Sequence, residues 1–374
     1  MSTADASSAS TDTVTGSFNG KTLLGLLGRL THAETRRSHS FSLVSFHAHP
    51  DDEALLTGGT IARASAEGHR VAIVCATDGA LGLVSSEVAG LGDLGARRRK
   101  ELLAAAAALG CGDVRFLGYA DSGYEAPRDG NGGARRVQTA GGARRGNRFC
   151  DAPTREAAEK LAEILREVKA DVITVYDPAG GYGHPDHLAV HRVGVAAAEL
   201  AGTPVVLEAT VDRRVLRRAL RALGALGVTR ALKVEGAEWD AGRFDNAFAD
   251  PERITHRVRV GRHASAKRNA MAAHASQATG GETVRTLAVF ARLPRLVFRL
   301  VFAYEWFVEV QVPAPRQSGA AARAAGRPDR NRTRTGRCDD IFASLRAPAA
   351  RAAPHARAAP AAEESQRDST ALGQ

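Results

Sequence analysis

Apolar runs and segments with helical periodicity alternate between about residues 39 and 224. Five short runs are rich in β-branched residues and show no regular polar alternation, which is typical of strands buried on both faces of a parallel sheet. These predicted strands are residues 41–46, 71–76, 114–117, 172–176 and 205–209. Helical spacing follows each strand, at residues 53–67, 95–109, 154–169, 186–200 and 212–223. The pattern predicts an α/β fold with a mainly parallel sheet and helices on both faces.

The two ends of the chain differ in composition from this central part. Residues 1–38 are rich in Ser, Thr and Gly, and residues 313–374 are rich in Ala, Arg and Pro. Apart from residues 341–345, such segments have too little apolar surface to offset the entropy that is lost on ordering. We therefore expect a mobile N-terminal extension over residues 1–38, a folded domain over residues 39–312, and a disordered tail over residues 313–374.

Length, composition and charge narrow the class of protein. The chain has 374 residues, of which 44% are hydrophobic, and its formal net charge is +10. These values are typical of a globular protein, and the length allows one large domain with tails or two ordinary domains. Residues 313–374 contain 11 Arg and 6 Asp or Glu, a difference of +5, so half of the net charge lies in the expected tail. The basic charge is therefore a weak indication of nucleic-acid binding.

The cysteines and the apolar segments indicate the compartment. The four cysteines form no C-x-x-C pair, which argues against a disulfide framework and against a thiolate zinc site. No window approaches the about 20 consecutive apolar residues of a membrane span, so we expect no transmembrane segment. Residues 1–20 lack the basic start and the apolar core of a secretory signal. These features predict a cytoplasmic protein.

Polar residues follow four of the predicted strands, at residues 47–53, 77–79, 118–123 and 177–187. The carboxyl ends of parallel strands meet at one edge of a sheet, and open α/β sheets bind ligands outside that edge. The four segments would therefore bring histidines and carboxylates together. This mixture of ligands favours a divalent metal, and zinc in particular because imidazole is among the ligands.

Two of these segments share a His-Pro pair and a spacing of three residues. Pro50 suits the first turn of a helix, which makes His49 its expected cap. His49 and Asp52 are three residues apart and can converge on one ion, and His184 and His187 repeat that spacing. Two His and one Asp leave coordination positions open, as a catalytic zinc requires.

The motif AHPDDE at residues 48–53, paired with HPDH at residues 184–187, resembles the LmbE-like, or PIG-L, family of zinc-dependent de-N-acetylases. The resemblance covers roughly residues 41–209, and residues 177–187 are especially similar to the branch that serves mycothiol biosynthesis. It implies a Rossmann-like fold, one Zn²⁺ ion per chain as the cofactor, and a small N-acetylated sugar as the substrate.

The resemblance also implies the residues of the metal centre. His49, Asp52 and His187 would hold the zinc ion, and Asp51 would be the general base. All four lie in the two motifs that carry the resemblance.

Further roles are implied for residues around the metal. His184 would be the protonated partner that stabilises the oxyanion and protonates the leaving amine, with Asp186 tuning it and Tyr182 assisting at the oxyanion. Arg98 and Asp121 would bind sugar hydroxyls. The chain departs from the family pattern at Ala80 and in an Arg- and Gly-rich insert, and both departures concern the substrate more than the metal.

Three hypotheses for function remain open at this point. The first is a zinc-dependent hydrolase that removes acetyl from an N-acetylated amino sugar, and the second is an amidase of a thiol conjugate or a deacetylase of a glycosylated natural product. The third is a non-enzymatic, basic nucleic-acid-binding protein on an α/β scaffold. The third is disfavoured because a scaffold has no physical need for Asp51 and His184 beside three metal ligands. A homo-oligomer is compatible with all three.

Several other histidines have two interpretations. His274 either approaches the site from the C-terminal region or lies on a helix surface. His191, one turn after His187, is either a partner of a metal ligand or a packing residue, and His47 is expected to point away from the site and pack.

Overall fold

The computed structural model describes residues 40–81, 93–123, 147–225, 248–278, 286–310 and 336–346. The predicted N-terminal extension lies outside the described residues, and so does most of the Arg- and Gly-rich insert at residues 128–148.

A seven-stranded sheet forms the centre of the fold. Its strands are β1 (Ser42–His47), β2 (Arg70–Thr77), β3 (Asp113–Tyr119), β4 (Val172–Tyr176), β5 (Val205–Thr210), β6 (His256–Arg259) and β7 (Tyr304–Val310). They are arranged in the order β3, β2, β1, β4, β5, β7, β6. Strands β1 to β5 pair in parallel, and β7 pairs antiparallel with both β5 and β6. In the register of the sheet, Leu43 of β1 lies opposite Val71 of β2 and Val172 of β4.

Helices cover both faces of this sheet. They are α1 (Asp52–Leu56), α2 (Gly58–Ala66), α3 (Leu94–Ala108), α4 (Thr154–Val168), α5 (Gly180–Gly183), α6 (Pro185–Ala201), α7 (Arg213–Ala225), α8 (Ala264–Ala273), α9 (Ala275–Ala278), α10 (Thr286–Arg292), α11 (Arg295–Val301) and α12 (Ala343–Arg346). Ile61 of α2 and Leu102 of α3 are buried in the core on one face, and Leu161 of α4 and Val190 of α6 are buried in the core on the other. Each such side chain contributes about 1.5–3 kcal/mol of transfer free energy. The predicted α/β class, with a mainly parallel sheet and helices on both faces, is confirmed.

The five predicted strands and the helices that follow them are present, but the first predicted helix, residues 53–67, is two helices. The chain breaks at Thr57, which has φ −127°, and a new helix begins at Gly58. The carboxylate of Glu305 accepts the backbone N–H groups of Gly59 and Thr60 at 2.8 and 2.7 Å, and so caps the second helix. A side chain at Gly59 would place its Cβ 2.6 Å from the Cβ of Val260, so this close approach requires glycine.

Strands β6 and β7 were not predicted from the sequence. β7 carries charged residues at positions 305 and 309, which hide the strand pattern, although its centre is buried. It extends the parallel sheet with an antiparallel edge, as is common in doubly wound folds.

The order of the strands creates a switch point between β1 and β4. From β1 the chain builds outward through β2 and β3, and it then returns to β4 and builds outward through β5 in the other direction. The loops after β1 and β4 therefore leave the sheet side by side, which is where ligands bind in this class of fold.

Within the described residues, no helix has the length and apolarity that a membrane span requires.

Residues 336–346 are folded, which corrects part of the expectation of a disordered tail over residues 313–374. The backbone of Cys338 pairs with that of His256 of β6 in an isolated β-bridge. Ile341 and Phe342 are buried in the core. The Phe342 ring stacks on Phe41 at 4.9 Å between ring centroids. The apolar residues noted in the sequence at 341–345 thus have a core to join, and this part of the expected tail is folded.

We expect Phe342→Ala to lower the free energy of unfolding by about 3 kcal/mol, because it removes a buried ring and leaves a cavity. Urea denaturation followed by circular dichroism measures this change. Leu296→Ala is the matched control, since Leu296 is 69% exposed, and it should stay within about 0.5 kcal/mol of wild type. Equal stabilities of the two variants would contradict the packing of this segment.

Candidate metal centre and active site

The loop after β1 turns sharply at Asp51. Helix α1 begins at Asp52, and Asp51 has φ 127°, a conformation that residues with a side chain rarely adopt. The Asp52 carboxylate accepts the backbone N–H of His49 at 3.0 Å, and the Glu53 carboxylate accepts that of Asp51 at 2.9 Å. The prediction that His49 caps a helix with Pro50 in its first turn is therefore wrong. Both residues lie in a turn before the helix, which the carboxylates of the first helical turn hold in place.

The loop after β4 has the predicted helix start. His184 is the N-cap of α6, and Pro185 is in its first turn. Nδ1 of His184 accepts the backbone N–H of Asp186 at 3.1 Å, and His187 lies in the same first turn of α6. Tyr182 is part of α5, and its side chain is outside what the structure describes.

The two loops bring three candidate metal ligands together. One nitrogen or oxygen atom from each of His49, Asp52 and His187 lies within 4.8 Å of the other two. Oδ2 of Asp52 is 3.3 Å from Nδ1 of His49 and 3.4 Å from Nε2 of His187. Zinc bonds of about 2.0–2.2 Å in tetrahedral geometry place neighbouring ligand atoms roughly 3.3–3.6 Å apart. The donor types and these two distances therefore fit a zinc ion.

The second nitrogen of His49 faces carboxylates. Nε2 of His49 is 3.1 Å from Oδ2 of Asp186 and 3.5 Å from Oδ1 of Asp121. Asp186 is itself oriented by the backbone N–H groups of Ser122 and Cys150, both at 3.0 Å. A histidine that binds a metal with one ring nitrogen commonly donates the other to a carboxylate. This contact orients the ring of His49 and directs Nδ1 towards Asp52.

The adjacent carboxylates Asp51 and Asp52 have opposite pKa shifts. Burial, reinforced by the negative charge of Asp52, raises the pKa of Asp51 to about 6. Burial also acts to raise the pKa of Asp52, but His187 and His49 beside it hold that pKa well below its usual range. Asp52 is thus suited to be an ionised ligand, and Asp51 to exchange a proton near neutral pH.

The surroundings of His184 favour its neutral form. Burial, together with repulsion from His49 and His187, lowers the pKa of His184 to about 3. The hydrogen bond from the backbone of Asp186 requires an unprotonated Nδ1, so the single ring proton is on Nε2. An imidazolium, which the family resemblance implies, could not accept this hydrogen bond, and the protonated form stays a prediction.

Arg98 and Asp121, the predicted sugar-binding residues, both lie near the site. Arg98 is buried, and its Nη1 donates to the carbonyl oxygen of Gly79 at 2.7 Å. Its positive charge acts on both Asp51 and Asp121. Asp121 is buried beside His49, so it also supports the candidate metal ligand. Their contacts with a sugar remain predictions.

The structure decides between the interpretations of the other histidines. His274 approaches the site: its Nε2 is 2.6 Å from Oε1 of Glu53, and both side chains are fully buried. His47 is buried and packs, with its Nδ1 3.1 Å from the Tyr176 hydroxyl and its Nε2 2.8 Å from the Ser45 hydroxyl. His191 packs with its Nδ1 3.1 Å from the carbonyl oxygen of Tyr176.

Sequence reasoning missed the residues that support the loop after β1 from a distance. Lys267 is buried, and its Nζ lies 2.7 Å from the carbonyl oxygen of Leu55 and 2.5 Å from Oε1 of Glu305. No local sequence pattern marks Lys267 or Glu305, because their roles depend on contacts between distant residues. Lys267 is 212 positions from Leu55 and 38 positions from Glu305. Glu53 lies in the AHPDDE motif, and its place in that motif is the only sequence feature that marks it.

Fold and site together define an α/β protein with a candidate metal centre of hydrolase type at the switch point of its sheet. The model of the PIG-L family, described as GlcNAc-PI de-N-acetylase, matches residues 44–198. A 1D-myo-inositol 2-acetamido-2-deoxy-α-D-glucopyranoside deacetylase from Nocardioides sp. is 38% identical over 261 residues, which are 63% of this chain and 83% of that protein. The protein of the same name from Thermobispora bispora is 35% identical over 304 residues, 75% of this chain and 92% of its own length.

The chain belongs to the LmbE-like, or PIG-L, family of deacetylases, since it covers most of these relatives at more than 30% identity. Among solved structures, N,N'-diacetylchitobiose deacetylase from Pyrococcus horikoshii aligns with 78% of this chain and 92% of its own. The TM-score of that alignment is 0.43 and the sequence identity is 18%.

We expect His187→Ala to lose most of the bound zinc, because it removes one of three candidate ligands. Elemental analysis of protein purified after zinc loading measures the occupancy. His191→Ala, one helical turn further along α6, is the matched control and should keep its metal. Full occupancy in His187→Ala would contradict the assignment of this ligand.

Proposed function

We propose that this protein removes the acetyl group from an N-acetylglucosaminide, and that 1D-myo-inositol 2-acetamido-2-deoxy-α-D-glucopyranoside is the substrate to test first. The names of the relatives supply this substrate class. The structural observation that supports the hydrolysis is the cluster of His49, Asp52 and His187, with Asp51 and His184 beside it at the switch point.

The proposed cofactor is one Zn²⁺ ion per chain, held by His49, Asp52 and His187. When bound, the ion supplies Lewis acidity that polarises an amide carbonyl and makes water a better nucleophile at neutral pH. The carboxylates of Asp186 and Asp121 behind His49 keep its ring oriented towards the ion.

Asp51 is the proposed general base. It precedes the ligand Asp52, and its unusual backbone conformation directs its side chain differently from that of a residue in the helix. It is half-buried, so a substrate can reach it. Accepting a proton from the attacking water would accelerate the reaction by about 10² to 10⁴. Passing that proton on to the leaving amine would balance the hydrolysis.

His184 is the proposed donor to the oxyanion that forms when the carbonyl carbon is attacked. Because Nδ1 accepts the backbone N–H of Asp186, a neutral ring carries its proton on Nε2, and this is the proton that His184 would donate. A single donor of this kind contributes about 3–4 kcal/mol to catalysis. Tyr182 is proposed to assist, and Asp186 to fix the position of the ring.

The function is tested by incubating the zinc-loaded full chain with the GlcNAc-inositol substrate and measuring free acetate and primary amine. N,N'-diacetylchitobiose and an amide-linked thiol conjugate, run in parallel, separate the sugar hypothesis from the thiol-conjugate hypothesis. We expect equimolar acetate and amine from the sugar substrate, and loss of both after chelation. No acetate from any N-acetylated sugar at full metal occupancy would rule out the proposal.

We expect Asp51→Asn to keep its zinc but to lower kcat by about 10² to 10⁴, because an amide cannot accept the proton of water. Steady-state kinetics with elemental analysis of the same sample separates metal loss from loss of the base. Asp171→Asn is the control, since Asp171 accepts the backbone N–H of Ser42 at the opposite edge of the sheet. An unchanged kcat in metal-loaded Asp51→Asn would show that another group is the base.

We expect Arg98→Ala to reduce kcat/KM for the GlcNAc-inositol substrate by roughly tenfold or more, the scale of a lost hydrogen bond from a charged group. Metal content should not change, because Arg98 does not belong to the ligand group. Arg99→Ala is the neighbouring control, with its guanidinium over the Phe116 ring. If Arg98→Ala hydrolyses the substrate like wild type, Arg98 does not bind the sugar.

A further inference from the structure

The segment between α8 and α9 reaches the loop after β1. His274 ends α8, and its Nε2 contacts Oε1 of Glu53 at 2.6 Å across 221 positions of sequence. The same segment is fixed on its other side by Ser276, whose backbone N–H and hydroxyl donate to Glu101 of α3 at 2.8 and 2.6 Å. His274 is therefore held firmly against Glu53.

Glu53 connects His274 to Asp51. One of its carboxylate oxygens faces His274, and the other accepts the backbone N–H of Asp51. A fully buried carboxylate with both oxygens engaged cannot rotate without leaving a polar atom unsatisfied. The orientation of Glu53 thus fixes the position of the Asp51 backbone.

Asp51 needs this support because of its backbone conformation. A residue with a side chain at φ 127° keeps that conformation only where the surrounding contacts impose it. If the hydrogen bond to its N–H were lost, the turn could relax to a negative φ. That relaxation would rotate the Cα–Cβ bond and move the carboxylate.

Other buried contacts already hold the two helices that follow. Lys267 donates to the carbonyl oxygen of Leu55 near the end of α1, and Glu305 accepts two backbone N–H groups at the start of α2. These contacts lie beyond Asp51 along the chain, whereas Glu53 bonds Asp51 itself. The pair of His274 and Glu53 therefore acts on the turn and not on the helices.

We propose that His274 is a positioning residue for Asp51: acting through Glu53, it holds the strained turn so that the Asp51 carboxylate faces the reacting atoms. The proposal rests on the proposed function, in which Asp51 is the general base. It assigns a role to a residue that is 221 positions away from its partner and lies outside both candidate ligand groups.

A double-mutant cycle tests the proposal on the zinc-loaded full chain. We expect His274→Phe to lower kcat by about 10- to 100-fold, with KM within about threefold of wild type and metal content unchanged. In the Asp51→Asn background, where no base remains to be positioned, adding His274→Phe should change kcat by less than about twofold. The residual rates are measured at raised enzyme concentration. A loss of the same size in both backgrounds would overturn the proposal.

Two further variants exclude a general loss of structure. His274→Asn is smaller and cannot reach Glu53, so it should reproduce the loss in kcat even if His274→Phe does not fold. His256→Asn removes another buried imidazole, on β6, whose Nδ1 contacts the Thr255 hydroxyl at 2.8 Å. If His256→Asn lowers the thermal stability as much as the His274 variants do, it should still keep kcat within about twofold of wild type. An equal loss of kcat in His256→Asn would assign the effect to stability and overturn the proposal.

Failure of the proposed function gives a different result. If the wild-type chain releases no acetate from any N-acetylated sugar, the proposed function fails and the positioning role fails with it. If the wild type is active and His274→Phe retains wild-type kcat, only the positioning role is overturned.

Discussion

The loop after β1 depends on two buried carboxylates, Glu53 and Glu305, whose partners come from the far end of the chain. A buried carboxylate without partners is strongly destabilising, since its desolvation is not offset. Glu305 is compensated by Lys267 and by two N–H groups of α2, and Glu53 by His274 and by the N–H of Asp51. The region around α8 and β7 is thus part of the site, although it contributes no candidate metal ligand.

The switch point explains why the chemistry is divided between two loops. Neighbouring parallel strands β1 and β4 end at the same edge, so His49 and Asp52 from one loop meet His187 from the other without a long excursion of the chain. The same geometry forces charged groups into a small buried volume. His187 and His49 stabilise the ionised form of Asp52, whereas burial together with the negative charge of Asp52 makes Asp51 more basic. Asp52, the candidate ligand, and Asp51, the proposed base, are adjacent in sequence, but their surroundings shift their pKa values in opposite directions.

Much of the fold follows from local pattern in the sequence, and much of the support for the site does not. The five parallel strands are continuous apolar runs, and the polar residues that follow them gather at one edge as topology requires. The break at Thr57 and the strand β7 both escaped prediction, and Glu305 is involved in each: it caps α2, and as a charged residue within β7 it hides the strand pattern. Its role appears only when β7 lies against α2, more than 240 positions away in sequence. The turn at Asp51 was likewise invisible, because the Pro50 signal for a helix start competes with the hydrogen bond from His49 to Asp52.

The contacts of the two nitrogens of His49 favour one of two candidate ligand groups. His49 can join Asp52 and His187, or it can join His184 and Asp186. In the second group, a metal would take the Asp186 carboxylate away from the backbone N–H groups of Ser122 and Cys150, which already orient it. In the first group, Nδ1 of His49 would be the ligand atom while Nε2 would keep its carboxylate partners, as is usual for a histidine that binds a metal. With the first group as ligands, His184 would lie outside the coordination sphere, as its proposed role as a donor to the oxyanion requires.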